Sequence, residues 1–123
     1  MANPVVHFEV IGRDGKKLQD FYRKVFEWKI DADNPMQYGM VGAQGGEGIG
    51  GGVSGYAGED GHRGVTFYVQ VPNLEQTLKQ IEAAGGKTVM PPADVPGGPR
   101  MAQFTDPEGN WIGLIQAGTM QGG

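Results

Sequence analysis

The 123-residue sequence contains no cysteine, no large excess of either charge and no long apolar run. Without cysteine the chain cannot form disulfides, thiolate metal sites or a cysteine nucleophile, and it suits a reducing compartment. The formal net charge of −4 argues against a nucleic-acid partner. No segment approaches the ~20 apolar residues of a membrane span, and the N-terminus lacks a signal-peptide pattern. We therefore expect a cytoplasmic protein with neither a nucleic-acid nor a membrane partner.

The length suits one compact domain, which at this size buries roughly two-thirds of the surface of the unfolded chain. We predict a single domain over residues 1–118 and a flexible tail over residues 119–123, because few side chains near the C-terminus can pack. Two similar halves make up this domain. The first module spans about residues 4–56 and the second about residues 63–117.

Each half begins with a strand followed by an amphipathic helix. Residues 5–11 alternate, with Phe8 and Val10 on one face and His7 and Glu9 on the other. Residues 16–28 then carry apolar side chains at helical spacing, which predicts a buried stripe: Leu18, Phe21, Tyr22, Val25 and Phe26.

The second half repeats this pattern when Phe67 is aligned with Phe8. A strand with Phe67 and Val69 on one face is followed by a helix that Asn73 caps and that ends at Gly85. Strand-like pieces follow both helices, so the sequence predicts β-α-β-β-β twice.

The most specific segment is residues 104–115, FTDPEGNWIGLI. Asp106, Pro107, Gly109 and Asn110 supply the residues of a tight turn, and alternating apolar residues on both sides predict a hairpin. This pattern closely resembles the last hairpin of the vicinal oxygen chelate superfamily, which includes lactoylglutathione lyase, bleomycin-resistance proteins and extradiol dioxygenases. The resemblance implies an α+β fold in which two βαβββ modules form a curved mixed sheet around a cleft. It also implies a homodimer.

In such a fold one strand face packs on the helices and the other lines the cleft. We expect the following residues to pack on the helices: Phe8, Val10, Phe67, Val69, Phe104, Ile112 and Leu114. The predicted cleft residues are His7, Glu9, Tyr38, Met40, Thr66, Tyr68, Gln70, Met101, Gln103, Trp111 and Gly113. Such a mixture of aromatic, Met and polar side chains is typical of a small-molecule pocket. Tyr68 and Trp111 serve there either as apolar wall or as a stacking platform.

Metal enzymes of the superfamily use up to four ligands, from the first and last strands of each half. Here only His7 is retained, while Thr66 and Gly113 replace two of the expected ligands. Residues 50–54 offer no carboxylate or imidazole for the fourth. We therefore expect no cofactor. A divalent metal held by substitutes such as Glu9 or His62 is the alternative.

His7 and Glu9 lie two residues apart on one strand face. Together they form either an acid–base pair or a polar anchor, and a carboxylate beside an imidazole is expected to favour its protonated form. Glu9 is alternatively a solvated residue at the mouth of the cleft. Tyr22 and Phe26 are expected in the core.

Glycine accounts for 23 residues and is concentrated in residues 39–64. This segment is either a flexible linker between the halves, with residues 58–64 as the linker proper, or a tight turn followed by a glycine-lined strand that a ligand or another backbone approaches closely. In the second case, glycines at residues 50–52 would widen the cleft.

The leading hypothesis is a degenerate metal site and a cleft that binds or sequesters a small organic molecule, as bleomycin-resistance members do. The alternative is a lyase, isomerase or related enzyme that acts on a small oxygenated metabolite. In that case His7 or Glu9 moves the proton, with or without a weakly held metal.

Overall fold

The computed structural model describes residues 2–55 and 63–119. Within them the chain forms two helices and eight strands in the order β-α-β-β-β, twice. The elements are β1 Val5–Gly12, α1 Gly15–Phe26, β2 Ile30–Asp31, β3 Gly39–Val41, β4 Gly51–Gly55, β5 Gly64–Val71, α2 Leu74–Ala83, β6 Lys87–Asp94, β7 Arg100–Thr105 and β8 Trp111–Gln116. The predicted α+β class and the duplicated plan are confirmed. Residues 58–62 of the predicted linker, including His62, and residues 120–123 of the predicted tail lie outside the described residues.

The chain forms two compact units. Residues 7–66 form the first, which we call the N-terminal unit. The second, the C-terminal unit, comprises the chain from Phe67 onward together with the residues that precede His7.

The sheet of the N-terminal unit has the strand order β2-β3-β4-β1. β3 is antiparallel to β2 and β4, whereas β1 and β4 are parallel. The register pairs Gly52 with Glu9 on one side and with Met40 on the other. Paired residues on neighbouring strands share a face, so these three residues form one row across the sheet.

Helix α1 covers the opposite face of this sheet. Asp14 caps it by accepting a hydrogen bond from Lys17 N at 3.0 Å. Leu18 and Tyr22 pack on a small core of Ile30, Val41 and Val53. That buried face also includes Gln19, whose Nε2 donates to the Val53 and Gln37 carbonyls at 2.8 and 3.1 Å.

The predicted helix stripe is only partly buried. Phe21, Val25 and Phe26 are each more than half exposed, so the prediction that Phe26 belongs to the core is wrong. Gln19 takes a place on the buried face, where its amide satisfies two backbone carbonyls, so Phe21 and Val25 at the other edge of the stripe face outward. Phe26 lies on the same side of the helix as Gln19, but it is the last residue of α1, where its ring stacks on Tyr22 at a centroid distance of 6.0 Å and remains exposed.

The sheet of the C-terminal unit has the strand order β5-β8-β7-β6. β5 and β8 are parallel, and β7 is antiparallel to both of its neighbours. Asn73 caps α2, as predicted, by accepting from Gln76 N at 2.8 Å, and Gly85 follows the helix with φ +102°. The core of this unit consists of Val71, Leu74, Leu78, Ala102 and Leu114.

The hairpin between β7 and β8 forms as predicted. Asp106 Oδ1 accepts hydrogen bonds from the backbone N–H groups of Glu108 and Asn110, both at 2.9 Å, and Gly109 has φ +86°. The turn fixes the start of β8, and with it the positions of Trp111 and Gly113.

One predicted core position on β5 is wrong. Phe67 is 40% exposed, whereas its neighbours Thr66 and Tyr68 are buried. Helix α2 packs on β6, β7 and β8, so it does not cover the N-terminal part of β5. Farther along this face of β5, Val69 packs against the core of the unit and Val71 belongs to it.

Candidate functional site

Three side chains of the N-terminal unit form a hydrogen-bonded chain. The Tyr38 hydroxyl donates to Glu9 Oε2 at 2.8 Å and lies 2.9 Å from His7 Nε2. The rings of His7 and Tyr38 are nearly parallel, with an interplanar angle of 16°. Glu9 is only 8% exposed, so the interpretation of Glu9 as a solvated residue at a cleft mouth is wrong. We call His7, Tyr38 and Glu9 the N-terminal cluster.

The backbone places Tyr38 by a local clasp. The side chain of Asn34 donates to the Tyr38 carbonyl at 2.7 Å and accepts from the Tyr38 N–H at 2.9 Å. Gln37, just before Tyr38, adopts a left-handed conformation with φ +53°. With its backbone held by Asn34, Tyr38 extends its ring over β4 to Glu9.

Gly52 makes that orientation possible. A β-carbon at Gly52 would overlap the hydroxyl and ring of Tyr38. The ring therefore occupies the volume above the glycine. The prediction that this glycine widens the cleft is wrong, because a side chain from the same unit fills the space.

The proton positions in this cluster follow from its geometry. Tyr38 has one hydroxyl proton, which it gives to Glu9, and an ionised carboxylate can only accept. With Glu9 ionised, His7 Nε2 therefore carries a hydrogen and donates it to the Tyr38 oxygen. Burial lowers the pKa of His7 below its ordinary value of 6.5. The prediction that Glu9 favours a protonated imidazole is wrong, because desolvation dominates.

The C-terminal unit holds a second cluster of similar character. Gln103 Nε2 donates to the Tyr68 hydroxyl at 3.0 Å, and Trp111 Nε1 donates to Gln103 Oε1 at 3.0 Å. Tyr68 is 4% exposed, while Gln103 and Trp111 are half-buried. The central amide thus joins a phenol and an indole. We call Tyr68, Gln103 and Trp111 the C-terminal cluster.

Gly113 has the same role in this cluster as Gly52 has in the other. It pairs with Tyr68 on β5 and with Gln103 on β7, and a β-carbon there would overlap the Tyr68 ring. A tyrosine ring over a last-strand glycine therefore occurs once in each unit.

The remaining predicted residues lie around these clusters. Met40 is 45% exposed and sits in the row of Gly52 and Glu9. Thr66 is buried, Gln70 is half-buried on β5, and Met101 is half-buried two residues before Gln103 on β7. Two features of the N-terminal unit were not predicted: the clasp by Asn34 and the buried Ser54 on β4. For the clasp, the sequence contains only one signal, an Asn four residues before a Tyr in a turn-rich segment.

The described residues do not fit a divalent metal centre. Among residues 2–55 and 63–119 no three His, Asp or Glu side chains converge. His7 Nε2 is already hydrogen-bonded to Tyr38, and tyrosine rings fill the space at Gly52 and Gly113. Neither glycine position could hold a carboxylate unless its tyrosine moved.

A duplicated βαβββ unit with polar and aromatic side chains on one sheet face defines a glyoxalase-like domain. The family model described as "Glyoxalase/Bleomycin resistance protein/Dioxygenase superfamily" matches residues 5–114. The chain belongs to this superfamily, as its last hairpin predicts.

Individual relatives are more distant. The chain is 39% identical over 57 residues to "Anthracycline biosynthesis protein DnrV" of Streptomyces peucetius. This match covers 46% of the chain but only 21% of that protein.

Two solved structures share the fold. A glyoxalase/bleomycin resistance protein/dioxygenase superfamily member from Vibrio splendidus 12B01 has a TM-score of 0.62 and 17% identity, covering 94% of this chain and 99% of that one. The methylmalonyl-CoA epimerase from Mycobacterium tuberculosis has a TM-score of 0.66 and 14% identity, covering 91% of this chain and 86% of that one.

In the part of the chain that the structure describes, neither helix has the length and apolar character needed to cross a membrane.

Proposed function

We propose that this protein binds a small, partly aromatic organic molecule without the help of a metal, in a sequestration or resistance role. The observation that carries the proposal is the repeated tyrosine over a last-strand glycine. Where the superfamily's metal enzymes place a ligand, each unit of this chain presents a phenol held by hydrogen bonds. Such groups suit stacking and hydrogen bonding better than metal coordination.

In this proposal the C-terminal cluster provides the aromatic contact with the ligand. The half-buried Trp111 indole is held through Gln103 by the buried Tyr68 phenol, so an aromatic ligand meets an indole that is already ordered. The match to a protein of anthracycline biosynthesis supports ligands with hydroxylated, fused aromatic rings.

Tryptophan fluorescence tests this proposal. The chain has two tryptophans, so the variant Trp28→Phe leaves Trp111 as the only indole. Trp28 stacks on Tyr22 in the N-terminal unit at a centroid distance of 5.1 Å. Titration of this variant with a dihydroxyanthraquinone should give saturable quenching. Trp111→Phe should weaken binding of the same compound by about 5-fold, as expected for a lost aromatic contact of about 1 kcal/mol. If Trp28→Phe weakens binding as much as Trp111→Phe, or if quenching never saturates, the proposal is wrong.

Metal independence is tested separately by calorimetry. Protein purified without an affinity tag should contain no stoichiometric metal and should bind Ni²⁺, Zn²⁺, Mn²⁺ and Fe²⁺ only weakly near neutral pH. Tight metal that is lost in His7→Ala would restore a metalloenzyme interpretation.

A second candidate function is proton transfer, as in a lyase or isomerase. The N-terminal cluster favours it, because a buried carboxylate, a phenol and a neutral imidazole joined by two short hydrogen bonds can relay a proton. A proton accepted at one end can pass through the Tyr38 hydroxyl to the other. The activity requires no metal step.

Solvent deuterium exchange into methylmalonyl-CoA, followed by NMR, tests this candidate. Catalysed exchange should fall by about 10²-fold or more in His7→Ala, whereas binding that depends on aromatic walls should largely survive. An exchange rate unchanged by His7→Ala would exclude the relay.

We also propose a homodimer located in the cytoplasm. The absence of cysteine supports the location, and the exposed Phe21, Val25 and Phe26 on α1 support association through an apolar face. Sedimentation of a monomer at micromolar concentration would contradict the dimer.

A further inference from the structure

Ser54 lies on the same sheet face as the N-terminal cluster. The register of β4 with β1 pairs Gly52 with Glu9 and Ser54 with Ile11. Side chains two residues apart on a strand share a face, so the Ser54 hydroxyl points to the side on which Glu9 and the Tyr38 ring lie.

The Ser54 hydroxyl is buried but not used within the described protein. Ser54 is 7% exposed, and its side chain makes no hydrogen bond to any residue in the ranges 2–55 and 63–119. Two other buried polar residues next to β4 behave differently, since Gln19 donates its amide to two carbonyls and Glu9 accepts from the Tyr38 hydroxyl. A buried hydroxyl without a partner costs free energy, and native proteins rarely keep one without a reason.

Nothing in the packing of β4 requires this hydroxyl. The neighbouring Val53 is fully buried in the core beneath α1. On the opposite face an alanine would fill the position of Ser54 without an unsatisfied group. The serine therefore weakens the free protein, as expected of a group kept for a ligand.

We propose that the Ser54 hydroxyl is a ligand-binding group whose oxygen accepts a hydrogen bond from a hydroxyl group of the bound molecule, a bond that an ether cannot form because it has no proton to donate. This inference rests on the proposed binding function and adds a specificity determinant to it. A site with a buried hydroxyl waiting for a partner rejects an analogue that lacks the matching group, because the hydroxyl then stays unpaired. The protein thereby selects hydroxylated aromatic molecules over their ethers.

The test compares Ser54→Ala with the wild-type protein in stability and in binding. The probes are a dihydroxyanthraquinone and its dimethyl ether, with affinity measured by calorimetry. Ser54→Ala should raise the denaturant midpoint and weaken binding of the dihydroxy compound by about 5- to 10-fold, the usual range for one lost hydrogen bond. Binding of the ether should change less than 2-fold, so that the two changes show a coupling between residue and ligand.

Two further variants sharpen the test. Ser54→Cys keeps the shape of the side chain with a somewhat larger terminal atom but offers only a weak donor and acceptor, and it should lose affinity as Ser54→Ala does. Tyr22→Phe deletes a hydroxyl on the opposite, helix-covered side of the same unit, and it should leave both affinities unchanged.

The outcomes separate this inference from the function on which it rests. If the wild-type protein binds neither probe, the proposed function falls and the role of Ser54 falls with it. If the wild-type protein binds the dihydroxy compound and Ser54→Ala binds it equally well, only the role of Ser54 is overturned. A lower denaturant midpoint for Ser54→Ala also overturns it, because the hydroxyl would then stabilise the free protein.

Discussion

The ring of Tyr38 fills the space above Gly52, where the β-carbon of any other residue would overlap it. The glycine lies between Met40 and Glu9 in the sheet, and the missing side chain lets the Tyr38 hydroxyl reach Glu9 Oε2 at 2.8 Å. In the other unit, Gly113 and Tyr68 repeat this arrangement. The last strand of each unit, β4 or β8, thus carries a glycine at the position that a tyrosine ring covers.

Gly52→Ala should displace the Tyr38 ring and break its hydrogen bonds with His7 and Glu9. We expect a loss of about 1–3 kcal/mol in the free energy of unfolding, measured by urea denaturation, as is usual for overpacking. Gly42→Ala is the matched control, since a β-carbon there meets nothing within 4 Å. The double variant Gly52→Ala/Tyr38→Ala should show less than the sum of the two losses. Additive losses would mean that the ring does not occupy this space.

Gly113→Ala should be more costly than Gly52→Ala. At Gly113 the new β-carbon would overlap the Tyr68 ring near its base as well as along its edge, whereas at Gly52 it meets the tip of the Tyr38 side chain, which can swing away. We expect a cost at or above the upper end of about 1–3 kcal/mol, with a shifted Trp111 indole N–H resonance in NMR spectra. An equal or smaller cost, with the indole resonance unmoved, would contradict the described packing.

Tyr38→Phe removes the hydroxyl that joins His7 and Glu9. Because His7 and Glu9 each lose the hydrogen bond to this hydroxyl, we expect the free energy of unfolding to fall by about 1–3 kcal/mol. Tyr22→Phe provides the comparison: its hydroxyl makes no hydrogen bond to the described residues, so the change should stay within about 0.5 kcal/mol. Equal effects of the two substitutions would remove the evidence for the cluster.

The lowered pKa of His7 predicts a specific pH dependence. In the unfolded chain His7 takes up a proton near pH 6.5, whereas in the folded protein burial holds its pKa lower. Between these two values the unfolded state binds more protons, so the stability contribution of His7 is full above pH 6.5 and is lost as pH falls through the folded-state pKa.

Urea denaturation of the wild-type protein and His7→Gln at several pH values between about 5 and 7.5 checks this prediction. The wild-type protein should lose more stability than the variant over this range as pH falls. A His7 C–H titration in NMR spectra with a midpoint above pH 6.5 would reverse the expected sign and contradict the prediction.

The hairpin between β7 and β8 could be predicted from the sequence, whereas the buried face of α1 could not. Asp106 and Gly109 act through their own backbone, so a short segment is enough to predict the turn. The buried face of α1 is different. It depends on Gln19 donating to the carbonyls of Gln37 and Val53, which lie 18 and 34 residues away, while Phe26 fits the apolar spacing but is exposed because it is the last residue of α1.

The candidate site shows the same division. Alternation correctly assigned His7 and Glu9 to one strand face and Tyr68 to the corresponding face of β5, because the two-residue period of a strand is local. It did not reveal that Tyr38 would bridge His7 and Glu9. That bridge depends on the register between β3, β4 and β1, which pairs residues far apart in sequence.

By itself, the sequence determined the duplicated βαβββ plan, the helix cap at Asn73, the turn at Asp106 and membership of the superfamily. Each of these depends on short segments whose conformation is decided by neighbouring residues. Only the tertiary structure decided that glycines at the last-strand positions are filled by tyrosine rings and that Ser54 is buried without a partner among the described residues. The physical reason is that filled volume and burial depend on strand register and close packing, which join residues that the local pattern cannot relate.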